Sequence, residues 1–199
     1  GLGDVYKRQG QPLVLHTLAA FAGVQRLAGT LVAVAPNDHF LDSYRSAAWW
    51  HLPCGGATRA ETVIGGLKAL LARGAAQHDW VLVHDAARCL VTTAQIDHLI
   101  DECERDSVGG LLAHKLPDTL KTAVTGANGV RVAATVDRSD KWLAQTPQMF
   151  RLGVLLDALV RMGAVATDEA SAMEALGHRP KLVPGGAQNF KVTYPDDFA

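Results

Sequence analysis

With 199 residues, 48% hydrophobic and 20% charged, the chain has the size and composition of one globular domain with a full core. A net charge of −1 supplies no basic field for nucleic acid, so any anion site must be built locally. No apolar run nears the roughly 18 residues of a bilayer span, and no leader of the export type is present, so no membrane partner is expected. Cys54, Cys89 and Cys103 have no metal-ligand spacing and read as thiols of a reducing, cytoplasmic compartment. The eight histidines form neither HxH nor HExxH, so no histidine metal site is expected.

Residues 1–9, Gly-Leu-Gly-Asp-Val-Tyr-Lys-Arg-Gln, fit no periodic element and read as a non-native leader. A phosphate loop around Gly1, Gly3 and Lys7 would need a preceding strand to aim it, and none precedes. Residues 12–27 read as a helix, Thr30–Ala35 as a short strand, 39–47 as a short helix and Trp49–Leu52 as a strand. Residues 59–73 follow as a helix with Val63, Leu67, Leu70 and Leu71 on one face. Thr58 and Glu61 fit a capping box at its start, and Gly74 fits its end. Trp80–His84 is a buried-type strand and 93–104 a helix. The alternation predicts a mostly parallel sheet with helices on both faces.

After Gly109 the texture turns β-like, at 110–116, 118–124 and 130–136. Gly126-Ala127-Asn128-Gly129 is a hairpin turn, so about 117–137 is predicted to be an arm projecting from the body. It is either an ordinary edge hairpin or an arm that packs on a second subunit. Helices are predicted at 151–162 and 168–176, strands around 181–183 and 189–193. The end, Pro195 to Ala199, resembles the first turn of a helix.

In such a sheet, ligands sit beyond the carboxyl ends of the strands. One segment there is Gly55-Gly56-Ala57-Thr58-Arg59-Ala60-Glu61-Thr62. Paired glycines admit a ligand close to backbone, a helix start favours anions, and Arg59 and Thr62 share its first turn. A plain capped turn has the same pattern. In Val81-Leu82-Val83-His84-Asp85-Ala86-Ala87-Arg88, Asp85 can hold a hydrated Mg²⁺ or a ribose hydroxyl, the alanines leave room, and Arg88 can meet phosphate or Asp85. The position beyond the strand favours the binding role over a mere cap of the next turn, and His84 reads as a core residue or one that supports the site from behind. A dispersed group follows: Thr119, Lys121, Asp137-Arg138, Thr146-Pro147-Gln148, Thr167-Asp168-Glu169 and Lys191. Thr167 reads as an N-cap with Asp168 and Glu169 on the helix dipole. Lys191, between Phe190 and Val192, reads as half-buried and in need of a counter-charge, or as solvent-facing on an edge strand.

Gly55 to Val63, Val81 to Arg88, Thr135-Val136-Asp137-Arg138, Thr146-Pro147-Gln148, Thr167 to Ala170 and Asn189 to Thr193, in this order, resemble the 2-C-methyl-D-erythritol 4-phosphate cytidylyltransferases. The resemblance runs from about Gly10 to Ala199. It implies a Rossmann-like α/β nucleotidyltransferase fold and a homodimer whose arm reaches the partner's active site. It further implies transfer of CMP from CTP to methylerythritol phosphate with Mg²⁺, in the cytoplasm or, in a plant or alga, the plastid stroma. By matched position Gly55, Gly56, Arg59 and Thr62 would lie around the cytosine. Asp85, Ala86 and Arg88 would serve ribose, α-phosphate and metal. Arg138 and Thr119 from the arm, with Thr167 and Lys191, would hold the polyol phosphate, Arg138 and Lys191 as catalytic cations. Family members open with a strand and a glycine-rich loop that this sequence does not show, which implies a groove and unpaired backbone inside the sheet. Ala57, Cys89 and Gln188 depart locally from the pattern. Two alternatives remain: a cytidylyltransferase for another polyol phosphate such as ribitol 5-phosphate, and a catalytically inert fragment.

Overall fold

The computed structural model describes residues 7, 8, 10–194 and 197. The expectations for residues 1–6, for residue 9 and for most of the 195–199 turn lie outside the described residues. In place of an element-free leader, β1 (Lys7–Arg8) pairs antiparallel with β2 (Gln11–Pro12). Helix α1 is shorter than predicted, Leu13–Ala22, and buries Leu13, Val14, Thr17, Leu18 and Phe21 along one stripe. The next strand, β3, is Thr30–Ala33, a 3-10 turn at Phe40–Ser43 replaces the predicted short helix, and β4 is Trp49–Leu52.

Helix α2, Arg59–Ala72, begins with the predicted capping box. Thr58 Oγ1 accepts from Glu61 N, and the Glu61 carboxylate accepts from Thr58 N. Gly74, at φ +104°, supplies the left-handed residue beyond its end. There follow β5 (Trp80–Val83), α3 (Thr93–Cys103), β6 (Gly109–Lys115) and the hairpin β7 (Leu120–Gly126) to β8 (Gly129–Val136). Then come β9 (Trp142–Arg151), α4 (Leu152–Met162), α5 (Glu169–Ala175) and β10 (Lys181–Pro184).

The main sheet runs β10-β6-β9-β5. β10 is parallel to β6, and both β6 and β5 are antiparallel to β9, so three of its strands point one way and β9 alone is reversed. Sequence neighbours on it face opposite layers. Leu111, Phe150 and Val81 pack with Leu67, Leu155 and Met173 of α2, α4 and α5. Leu112, Met149 and Val183 pack with Phe21, Ile96, Leu99 and Ile100 of α1 and α3. The result is the three-layer α/β architecture that the alternation predicted.

Two predictions are corrected. Residues 189–193 form no strand; their backbone is tied by Val192 N donating to Ala87 O at 3.0 Å. The ten-residue strand β9, at the centre of the main sheet, was not predicted: Pro147 interrupts its pattern, and residues 145–150 are buried throughout, so alternation is lost.

β3 and β4 form a separate parallel pair. Among the described residues no ladder joins it to the main sheet. Between β3 and β5 lies a cleft of about 1150 Å³, lined by both strands and by α1 and α2 and ending at Arg59, Thr62, Asp85 and Ala86. Thr30 N and Val34 N bond to the β4 side, at Ala48 O and Leu52 O. By alternation, the amides of Leu31 and Ala33 face the cleft. Among the described residues the hairpin β7–β8 pairs only with itself, and it leaves Val124, Val130 and Val132 exposed.

Candidate active site

Three segments that are distant in sequence meet beyond the carboxyl ends of β4 and β5. The first is the turn into α2. Gly55 N donates to Val34 O at 2.9 Å, and a Cβ at Gly55 would stand 2.8 Å from that same oxygen, so only glycine closes this corner. Thr62 Oγ1 accepts from Gly56 N at 3.1 Å and donates to Thr58 O at 3.0 Å. These two groups therefore brace the loop against the helix and shape a wall.

The second segment follows β5. Asp85 N donates to Thr146 Oγ1 at 3.0 Å, the Thr146 hydroxyl donates to His84 Nδ1 at 2.9 Å, and His84 Nε2 donates to Arg88 O at 3.1 Å. This assignment satisfies every proton with one neutral tautomer. Burial under Phe21, ring centroids 5.0 Å apart, pushes the His84 pKa down to about 4. His84 is half-buried rather than a core residue, and it acts as the supporting residue that was the alternative, fastening both ends of the Asp85–Arg88 turn. Ala86 is exposed, with its carbonyl held by Thr17 Oγ1 at 2.9 Å.

The third segment is the stretch after β10. Arg88 Nη1 donates to Asn189 O at 2.8 Å, and the fully buried Asn189 donates through Nδ2 to Thr146 O at 2.8 Å. Among the described residues, Arg88 Nε and Asn189 Oδ1 are buried without a hydrogen-bond partner.

Asp85 is the hub. Its Oδ1 takes Arg59 Nε at 3.0 Å. Its Oδ2 has only long ion contacts, to Arg88 Nε at 3.7 Å and Lys191 Nζ at 3.9 Å. Burial alone would raise the Asp85 pKa; Arg59, Lys191 and Arg88 outweigh it and hold the carboxyl below its usual range. Burial lowers the Arg88 pKa, and Asp85 offsets part of that. Lys191 is exposed rather than half-buried, and its counter-charge is Asp85.

The other predicted site residues lie apart. Arg138 is exposed and donates to the carbonyls of Leu116 and Pro117 at the base of the arm. Thr119 is exposed at the same base, and no contact described for either residue reaches the Asp85 cluster. Thr167 is not the N-cap: Asp168 is, in a capping box with Ser171, because its carboxylate accepts from Ser171 N at 2.7 Å. Thr167 N donates to Ser171 Oγ at 3.0 Å, just ahead of the cap. Glu169 does more than complement a dipole: it is 0% exposed and takes Arg59 Nη1 at 2.7 Å and Nη2 at 3.1 Å. Gln148 was quoted only within a motif. It is 1% exposed and holds the start of α5, donating to Asp168 Oδ2 at 3.0 Å and accepting from Ala170 N at 2.8 Å. A buried glutamine beside a buried glutamate signals a fixed network, but sequence shows neither burial nor partner.

β9 ties the segments together. Four steps along it, Ala144 to Gln148, match two along β6, Ala113 to Leu111. The bulge turns Thr146 toward Asp85 and Asn189.

Arg59 and Asp85 at the end of the cleft, with Arg88 and Lys191 in ion contact with Asp85, sit beyond the carboxyl ends of β4 and β5 in a mixed-sheet α/β protein of the Rossmann-like class. The family described as IspD: 2-C-methyl-D-erythritol 4-phosphate cytidylyltransferase matches residues 4–199. The bifunctional enzyme IspD/IspF of Albidiferax ferrireducens is 65% identical over 191 residues, 95% of this chain but 45% of that enzyme. The 2-C-methyl-D-erythritol 4-phosphate cytidylyltransferase of Laribacter hongkongensis is 52% identical over 192 residues, 94% of this chain and 81% of that protein. Among solved structures, a 4-diphosphocytidyl-2C-methyl-D-erythritol synthase superposes with TM-score 0.87 at 42% identity, over 96% of this chain and 90% of that one. The Francisella tularensis cytidylyltransferase superposes with TM-score 0.83 at 33% identity, over 98% and 89%. The chain belongs to the 2-C-methyl-D-erythritol 4-phosphate cytidylyltransferase family, and the fold expected from the sequence is the one observed. It spans just under half the length of the bifunctional relative.

Proposed function

We propose that this protein transfers CMP from CTP to 2-C-methyl-D-erythritol 4-phosphate. An oxygen of the polyol phosphate attacks the α-phosphorus of CTP. The new P–O bond forms as the bond to the β-phosphate oxygen breaks, and pyrophosphate leaves. The attacking phosphate is already an anionic nucleophile, so positioning and charge compensation are the main requirements. The observation that carries this reading is the rim itself, where Arg59, Arg88 and Lys191 surround Asp85 beside an open cleft. His84, neutral and bonded through both ring nitrogens, takes no proton from substrate.

The wall at Gly55, Gly56 and Thr62 bounds the base, and exposed Ala86 leaves room for ribose and phosphate. Magnesium fits Asp85. Asp85 would hold the ion through Oδ2, which among the described residues has only long ion contacts. When bound, Mg²⁺ would offset the negative charge of those oxygens. Lys191 and Arg88 meet the incoming phosphates, and the exposed Thr167, just ahead of α5, would serve the polyol phosphate.

The exposed valines of the arm support a homodimer in which Arg138 and Thr119 serve the partner's polyol phosphate. Among the described residues no helix is long and apolar enough to cross a membrane, and the reading places the enzyme in the cytoplasm. The test is pyrophosphate release by the full chain with CTP, Mg²⁺ and either methylerythritol phosphate or ribitol 5-phosphate. Turnover selective for methylerythritol phosphate is expected. Equal turnover would make it a general polyol phosphate cytidylyltransferase, and no CTP binding by calorimetry would leave an inert fold.

A further inference from the structure

None of the steps above uses Glu169, the completely buried acid that opens α5. Both its oxygens are taken by the two Nη atoms of Arg59, while Nε and Nη2 of the same guanidinium hold Asp85 Oδ1 at 3.0 Å. Three of the five N–H groups of Arg59 therefore donate to two carboxylates, and Nη2 makes an ion contact with Asp85 as well. A planar group gripped along two edges cannot turn to a ligand, and its orientation fixes whatever it holds.

Glu169 is itself fixed from behind. Gln148 of β9 holds Ala170 N and Asp168 Oδ2 on either side of it. A mechanical line thus runs from the centre of the sheet through Gln148, the start of α5, Glu169 and Arg59 to Asp85. Its last link leaves Asp85 Oδ2 facing Arg88 and Lys191 with no close partner. Burying an ion pair contributes little net stability compared with apolar packing of the same volume, so stability alone does not account for a charged pair here.

We propose that Glu169 is a positioning residue of the transfer site: through Arg59 it sets the plane of the Asp85 carboxylate and turns Oδ2 toward the reacting phosphates. Arg59 then acts as a clamp and not as a contact to the base. The inference rests on the cytidylyl-transfer reading above. It also carries a charge consequence. With all five groups ionised, Arg59, Arg88 and Lys191 against Asp85 and Glu169, the cluster carries a net positive charge. Removing the charge of Glu169 makes it more positive, so CTP should bind no less well while its alignment is lost.

The test is Glu169→Gln in the full chain, with unfolding by urea, CTP–Mg²⁺ binding by calorimetry, and steady-state kinetics side by side. The expected result is a folded protein whose CTP affinity stays within about twofold of the parent or improves, and whose kcat falls about 10- to 100-fold, as for a catalytic group displaced by an ångström or less. Glu169→Asp keeps the charge but withdraws its reach, and the same loss of kcat without loss of CTP affinity is expected of it should Glu169→Gln fail to fold. A folded variant with kcat within about twofold of the parent overturns the inference, as does a raised KM for CTP at unchanged kcat, which would mark Arg59 as a uniform binding contact. A parent chain that neither binds CTP nor turns over overturns the cytidylyl-transfer reading, and this inference with it.

Discussion

The rim around Asp85 and the arm at β7–β8 are both rich in polar and cationic side chains, yet they are held by opposite means. At the rim, Arg59 meets Glu169 from 110 residues away, Arg88 meets Asn189 from 101 and Asp85 meets Thr146 from 61. In the arm, the ladder is a local hairpin, and Lys121 Nζ donates to Thr135 Oγ1 only 14 residues on. The rim is an outcome of the whole fold, while the arm needs little beyond itself. Rim substitutions should therefore disturb folding and chemistry together, whereas arm substitutions should leave folding nearly untouched and act on association along β7 and β8 or, at Arg138, on substrate use.

The strongest way to break this comparison is Arg59→Ala. It strands the buried Glu169 carboxylate and should cost about 3–5 kcal/mol in urea unfolding. Adding Glu169→Gln should recover most of that loss; equal instability of the two variants would mean the pair is not the cause. Next come Lys191→Ala at the rim and Arg138→Ala at the arm. Each should weaken use of methylerythritol phosphate by about 2–4 kcal/mol in kcat/KM if it pairs with phosphate in a desolvated site. Loss of CTP affinity with the co-substrate parameters unchanged would reverse the assignment.

The pH dependence sharpens the comparison further. His84 titrates near 4 in the folded chain against 6.5 unfolded. Between those values the unfolded state binds the extra proton, so the stability from this group is complete above pH 6.5 and is lost as pH falls toward 4. The loss should reach about 3 kcal/mol, and unfolding curves across that window for the parent and for His84→Gln should differ in slope. The smallest effect belongs to the arm: Val130→Thr and Val132→Thr, both at exposed positions, should each change unfolding free energy by less than about 0.5 kcal/mol. The same pair should weaken a dimer in sedimentation; an unchanged sedimentation profile would detach the arm from assembly.

Much of this was legible beforehand. The capping box at Thr58 and Glu61, the left-handed Gly74, the turn at Gly126 to Gly129 and the carboxylate after β5 are written in a few neighbouring residues. Glu169 was visible within its motif but was assigned to the helix dipole, because nothing in Thr167-Asp168-Glu169-Ala170 says that the acid points inward to an arginine of another helix. β9 was missed because its defining residues, Gln145, Thr146, Pro147 and Gln148, are polar or cyclic and are buried by partners supplied from elsewhere.

The sequence by itself determined where most helices begin, where the hairpin turns and which turns carry charge, since capping, turn conformation and helical periodicity act over a few bonds. Only the tertiary structure decided that Asp85 shares Arg59 with Glu169, that β9 runs against its neighbours, and that Arg138 is bonded to the Leu116 and Pro117 carbonyls. Those outcomes depend on burial and on distances between residues far apart in the chain, which carry no local period to read.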